Sequence, residues 1–168
     1  MSIFGPPDIS KLIEKKDITG LNKALKYKDP NIVRDAAFAL ADLGIYASMG
    51  LLIGLASPDW QIRRTAYTKF AKFKEYGVIP LLASLHDPNE IVRSEGLTML
   101  FQHKDMRAIL PFADCMLHDP SKNVREASVY ALFFLAGEQA LEYFLVARND
   151  PDPVVKLMVD DVLSKLGY

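Results

Sequence analysis

Hydrophobic and polar positions in this chain recur at two scales. Five segments align on one small residue: NIVRDAAFALADL, WQIRRTAYTKFAKF, EIVRSEGLTMLFQH, KNVREASVYALFFL and PVVKLMVDDVLSKL. The aligned position is Ala36, Ala66, Gly96 and Ser128, with Val159 in the last copy, at intervals of 30, 30, 32 and 31 residues. Four residues earlier stands a β-branched residue each time: Ile32, Ile62, Val92, Val124, Val155. Four residues later stands a large apolar one: Leu40, Phe70, Leu100, Leu132, Leu163. A spacing of i, i+4, i+8 is one face of an α-helix. Upstream lies a second apolar segment per copy. Leu21 and Leu25 recur as Leu51 and Leu55, then as Leu81 and Leu85, then as Ala113 and Leu117, with a blurred fifth copy around Phe144 and Leu145.

A proline motif separates the two helices of each copy: Asp29-Pro30, Ser57-Pro58, Asp87-Pro88, Asp119-Pro120, Asp150-Pro151. Proline disfavours helix in the residue before it, so the first helix stops there. Asn31, Asp59, Asn89, Ser121 and Asp152 follow as expected N-caps of the second helix, and Pro153 falls at a first helical position. One such hairpin cannot bury its apolar face alone, whereas stacked copies can. The repeats are expected at about 18–44, 45–74, 75–104, 105–136 and 137–167 of a single domain, 1–168. Residues 8–16, DISKLIEKK, are expected to form an N-terminal cap helix, with Asp8 as N-cap and Leu12 and Ile13 over the end of the core.

The run Asp-Pro, Val-Arg, small, large resembles the HEAT-like repeat family, in the short form associated with phycobilisome lyase subunits. DPNEIVRSEGLTML and DPSKNVREASVYAL carry it best, and it covers about residues 18–166. The resemblance implies an all-α, right-handed α-solenoid, an armadillo-like superhelix whose second helices line the concave side. It also implies that the Arg column pairs with the turn aspartates of neighbouring repeats. That ladder is expected to comprise Asp87, Arg93, Asp119, Arg125, Asp150 and Lys156. Shielded charged hydrogen bonds of this kind contribute about 1.5–3 kcal/mol each. The first turn is two residues short, so Val33 occupies the Arg column and Arg34 is the substitute.

Charge changes the picture little. Net charge is −1, split as +4 over residues 1–76 and −5 over 77–168. Such a dipole orients a partner without naming one. The single cysteine, Cys115, excludes an intrachain disulfide, fits a reducing compartment and is expected to be buried. MSIFGPPDIS has no basic-then-apolar leader, and no apolar run reads as long enough for a membrane helix. The expectation is a cytoplasmic protein without a membrane partner.

No catalytic constellation, metal site or cofactor is expected. There is no Gly-rich phosphate loop, no Gly-x-Ser-x-Gly elbow and no Cys-x-x-Cys. His86 and His118 occupy equivalent turns while His103 lies at the other end of a hairpin, and no His-Glu dipeptide occurs. Surface therefore carries the functional expectation. Positions flanking the core stripe of the second helices offer Tyr67, Leu97, Phe101, Val129 and Phe133, with Tyr130 alongside and Arg63 and Arg64 nearby. Two readings stand: packing between repeats, or an apolar strip that binds a protein or peptide. Trp60 is a separate, weaker anchor. The alternatives are a bilin lyase or chromophore-handling subunit, as the resemblance implies, and nucleic-acid binding at Arg63, Arg64, Lys69, Lys72 and Lys74, which the net charge disfavours. A visible absorption band after incubation with bilin distinguishes the first alternative, and steep salt dependence the second.

Overall fold

A computed structural model of the chain describes residues 6–43 and 48–168. These residues form helices and no strand. They fall into two compact units, Met1–Lys72 and Phe73–Tyr168.

The first unit holds α1 (Ile9–Glu14), α2 (Ile18–Ala24), α3 (Pro30–Asp42), α4 (Ser48–Leu55) and α5 (Trp60–Phe70). Helix α3 packs on α2, α4 and α5. The second unit holds α6 (Lys74–Ser84), α7 (Glu90–His103), α8 (Ile109–His118), α9 (Lys122–Ala136), α10 (Leu141–Ala147) and α11 (Pro153–Leu166). There α9 lies on α8, between α7 and α11, so α7, α9 and α11 form one layer. Helix α10 sits against α8 and α11 in the other.

The periodicity placed the core well. All five aligned triplets are buried, with Ile32 alone only half-buried. The first-helix pairs need three corrections. In α4 Leu55 is half-buried. In α8 the fully buried side chains are Phe112 and Met116, and Leu117 is half-buried. In α10 Phe144 is buried with Ala147, whereas Leu145 is exposed. The last two are shifts of a single helical position, about 100° around the axis, which separates core from surface.

The turns also formed largely as the proline motif required. Asp59, Asn89 and Asp152 cap α5, α7 and α11 with side-chain oxygens that accept from backbone N–H groups two residues on. Ser121 occupies the N-cap of α9 without a side-chain cap bond. In the short first turn the cap is Asp29, not Asn31, because Pro30 already stands at the first helical position.

The cap helix α1 is only partly as expected. Asp8 caps it, accepting from Lys11 N. Leu12 abuts Gly20 of α2, where there is no side chain to obstruct it. Ile13, however, is 46% exposed and lines an open groove of about 370 Å³ with Ile9 and Phe38 instead of sealing the core.

Segment Lys122–Ala147 contains an 18-residue window of mean hydropathy 1.3 and by length and composition could cross a membrane, contrary to the sequence reading. It is not one continuous helix. Helix α9 stops at Ala136, Gly137 takes φ +53°, and a 3-10 turn (Gly137–Ala140) leads into α10. A positive φ is open to glycine without steric cost.

Gly96 shows how tightly α7 sits on α6. A Cβ there would lie 2.0 Å from Ser84 Oγ, and Ser84 is fully buried and donates to Leu81 O. Alanine would gain about 1 kcal/mol of helix propensity over glycine, yet overpacking costs about 1–3 kcal/mol. Gly96→Ala is therefore expected to destabilise by up to about 2 kcal/mol. Adding Ser84→Gly should recover part of that loss, and a double-mutant cycle followed by urea unfolding reads the coupling.

Candidate protein-interaction surface

What holds the second unit in register is a buried ion-pair ladder. Arg93 of α7 donates from Nε and Nη2 to the two carboxylate oxygens of Asp119, at 2.7 and 2.8 Å. Its Nη1 donates to Asp87 O and Pro88 O, at 2.8 and 3.2 Å. Arg125 repeats the pattern one hairpin later, bidentate on Asp150 at 2.7 and 3.0 Å and donating to Asp119 O at 3.0 Å. Each of these aspartates also accepts from the backbone N–H two residues on, Ser121 N for Asp119 and Asp152 N for Asp150. One carboxylate thus closes its own turn and receives the arginine of the hairpin before it. Hydrogen bonding to Asp119 and Asp150 raises the affinity of Arg93 and Arg125 for their protons above the ordinary guanidinium value.

Asp87 is buried and accepts from Asn89 N, as Asp119 and Asp150 accept in their own turns. One expected member differs. Lys156 is exposed and makes no ion pair among the described residues. In the first unit Arg34 bonds locally, to Asp35 and Asn31, and does not replace the missing rung. Arg63 makes the same carbonyl contacts, donating to Ser57 O and Pro58 O.

Held by this ladder, α7, α9 and α11 present an aromatic cluster. The ring of Phe134 lies 6.2 Å from Phe101, 6.3 Å from Tyr130 and 5.2 Å from Phe133, all tilted, within the range of favourable ring pairs. Lys165 of α11 places Nζ 5.6 Å from the Tyr130 ring centroid. It also pairs with Asp161, to which the Tyr130 hydroxyl donates at 3.2 Å. Phe134 itself is 68% exposed. Phe101, Tyr130 and Phe133 are half-buried.

The predicted strip therefore divides. Tyr67, Leu97 and Val129 are buried, so they are core and not surface. Phe101, Phe133 and Tyr130 do lie at the surface, and the sequence reading missed Phe134. The reason is angular. One residue past the small core position is about 100° round the helix, a flank that a neighbouring second helix covers; two and six past it are about 200° and 240° round, facing away. Tyr130 and Phe134 hold those two positions relative to Ser128.

The other candidates are placed as follows. Trp60 and Arg63 are half-buried in the first turn of α5, and Arg64 is exposed. Lys69 is engaged, 2.6 Å from Asp42 and over the Phe38 ring. Lys72 is exposed, and the side chain of Lys74 lies outside the described residues. A shallow pocket of about 270 Å³ beside the ladder brings His86 and His118 together with Asp114 and Cys115. His118 Nδ1 is 2.9 Å from Asp114. Among the described residues no His, Cys, Asp or Glu cluster could hold a metal ion. Burial pushes the Cys115 thiol up to about 12, so it is protonated and not nucleophilic at neutral pH.

Successive hairpins, proline turns, bidentate rungs and an outward aromatic face together define an all-α protein built from tandem helical repeats. A family model of HEAT repeats matches residues 48–132 and, overlapping it, 79–164. The chain belongs to the HEAT repeat family. No curated protein matches it.

Proposed function

We propose that this chain is a non-enzymatic scaffold that binds another protein or peptide. Within the second unit the helix pairs wind with the right-handed sense of an α-solenoid, and the second helices α7, α9 and α11 line its concave side. Function belongs to the cytoplasm and needs neither membrane nor cofactor.

The observation that supports this reading is the aromatic cluster on α7 and α9. An exposed phenylalanine joined to three half-buried aromatics is the composition of an interface anchor, and it contributes little to the core. Buried arginines fix the helices beneath it, so the surface is pre-organised and little ordering entropy is lost on binding. Nucleic acid is less well supported, because Lys69 of the basic cluster is already engaged by Asp42.

The test is affinity capture from native lysate with wild type and a Phe101→Ser, Phe134→Ser double variant. The variant is first shown to be folded by circular dichroism. A partner held by wild type and released by the folded variant is the expected result. Equal capture by both would remove the cluster as the binding surface.

A further inference from the structure

We propose that the aromatic face of α9 takes an extended peptide segment with basic residues on either side of an apolar centre. This deepens the scaffold reading and rests on it. The outward row of α9 reads Glu126, Tyr130, Phe134, and four residues further, in the 3-10 turn, Glu138. The aromatic pair is thus bracketed by two carboxylates. Neither Glu126 nor Glu138 has an ion-pair partner among the described residues, and Glu138 is exposed.

The charges nearby are mostly spoken for. Arg93 and Arg125 are sequestered by Asp119 and Asp150. Arg148 is paired with Asp160, Arg107 with Asp105, and Lys165 with Asp161. Lys104, three residues beyond Phe101, has no ion pair among the described residues, yet acids predominate across the unit, with nine Lys and Arg against fourteen Asp and Glu over Phe73–Tyr168, net −5. A partly desolvated carboxylate beside an exposed ring favours a guanidinium, which can pair with the first and stack on the second. Ten residues of helical rise, about 15 Å, separate Glu126 from the end of α9 at Ala136, and the 3-10 turn carries Glu138 just beyond it. An extended chain covers that distance in roughly five to six residues. The complementary segment therefore carries two arginines or lysines about that far apart, with apolar side chains between them for Phe134, Tyr130 and Phe101.

The probes are two fluorescein-labelled decapeptides with the same Leu-rich centre, one bracketed by Arg and one by Glu at the same positions. Fluorescence anisotropy on the full chain should show the Arg peptide binding at least tenfold tighter than the Glu peptide. Phe134→Ser should weaken the Arg peptide at least tenfold. Glu126→Gln with Glu138→Gln should cut the Arg-over-Glu preference to under threefold while the thermal midpoint stays within a few degrees of wild type. Equal, Phe134-dependent binding of both peptides refutes the charge preference and leaves the interaction surface standing. Binding indifferent to Phe134→Ser, or none by the Arg peptide, refutes this occupant, and the lysate capture then decides separately whether the surface binds anything.

Discussion

Asp119→Ala lowers the unfolding free energy by about 3–5 kcal/mol, the range for removing one partner of a buried ion pair. The magnitude follows from what is left behind. Arg93 and Asp119 expose only 9% and 4% of their side chains. Without the carboxylate the guanidinium keeps its two carbonyl acceptors but loses both charged hydrogen bonds. Ser121 N loses its acceptor as well, so the turn into α9 loosens. The pair is not thereby a large net stabiliser, because desolvating two ions offsets much of their attraction. An Arg93→Met, Asp119→Leu double variant should consequently lose much less than the single. Chemical denaturation followed by far-UV circular dichroism reads both. A double variant as unstable as Asp119→Ala would show that the turn bond, not the stranded charge, sets the cost.

Phe112→Ala costs about 3–5 kcal/mol, the range for emptying an aromatic site in a packed core. Phe112 is fully buried in α8, which packs on α9. Phe134→Ala, the same chemical change on the next helix, should cost only about 0.5–1.5 kcal/mol, because an exposed ring leaves no cavity and loses only ring contacts. The contrast separates the two phenylalanines by role. One is core, and the other is surface that stability alone does not explain. Thermal melts of the two variants in parallel check it.

Much of this was legible in the sequence. The five triplets and the proline turns carried the helix pairs, because helix periodicity and the proline restriction are local effects. The Arg–Asp rungs were expected at Arg93, Asp119, Arg125 and Asp150 and formed there. Lys156 failed because a rung needs a turn aspartate one hairpin further on, and no such turn follows it among the described residues. The surface was harder to read. The width of a buried helical face depends on how many neighbours cover it. Leu97 and Val129 look like a flank when only the first helix of their own hairpin is considered. They become core once α7, α9 and α11 lie side by side. Asp160, at the same position on α11, is exposed and pairs with Arg148. With the face widened to about 200°, what remained outside it was Tyr130 and Phe134.

The most direct test measures Phe134→Ser twice, once for stability and once for affinity toward a partner captured by wild type. Stability within about 1.5 kcal/mol of wild type, with affinity reduced at least tenfold, is the predicted outcome. Undiminished affinity in a folded variant would contradict the assignment of this aromatic face as the binding surface.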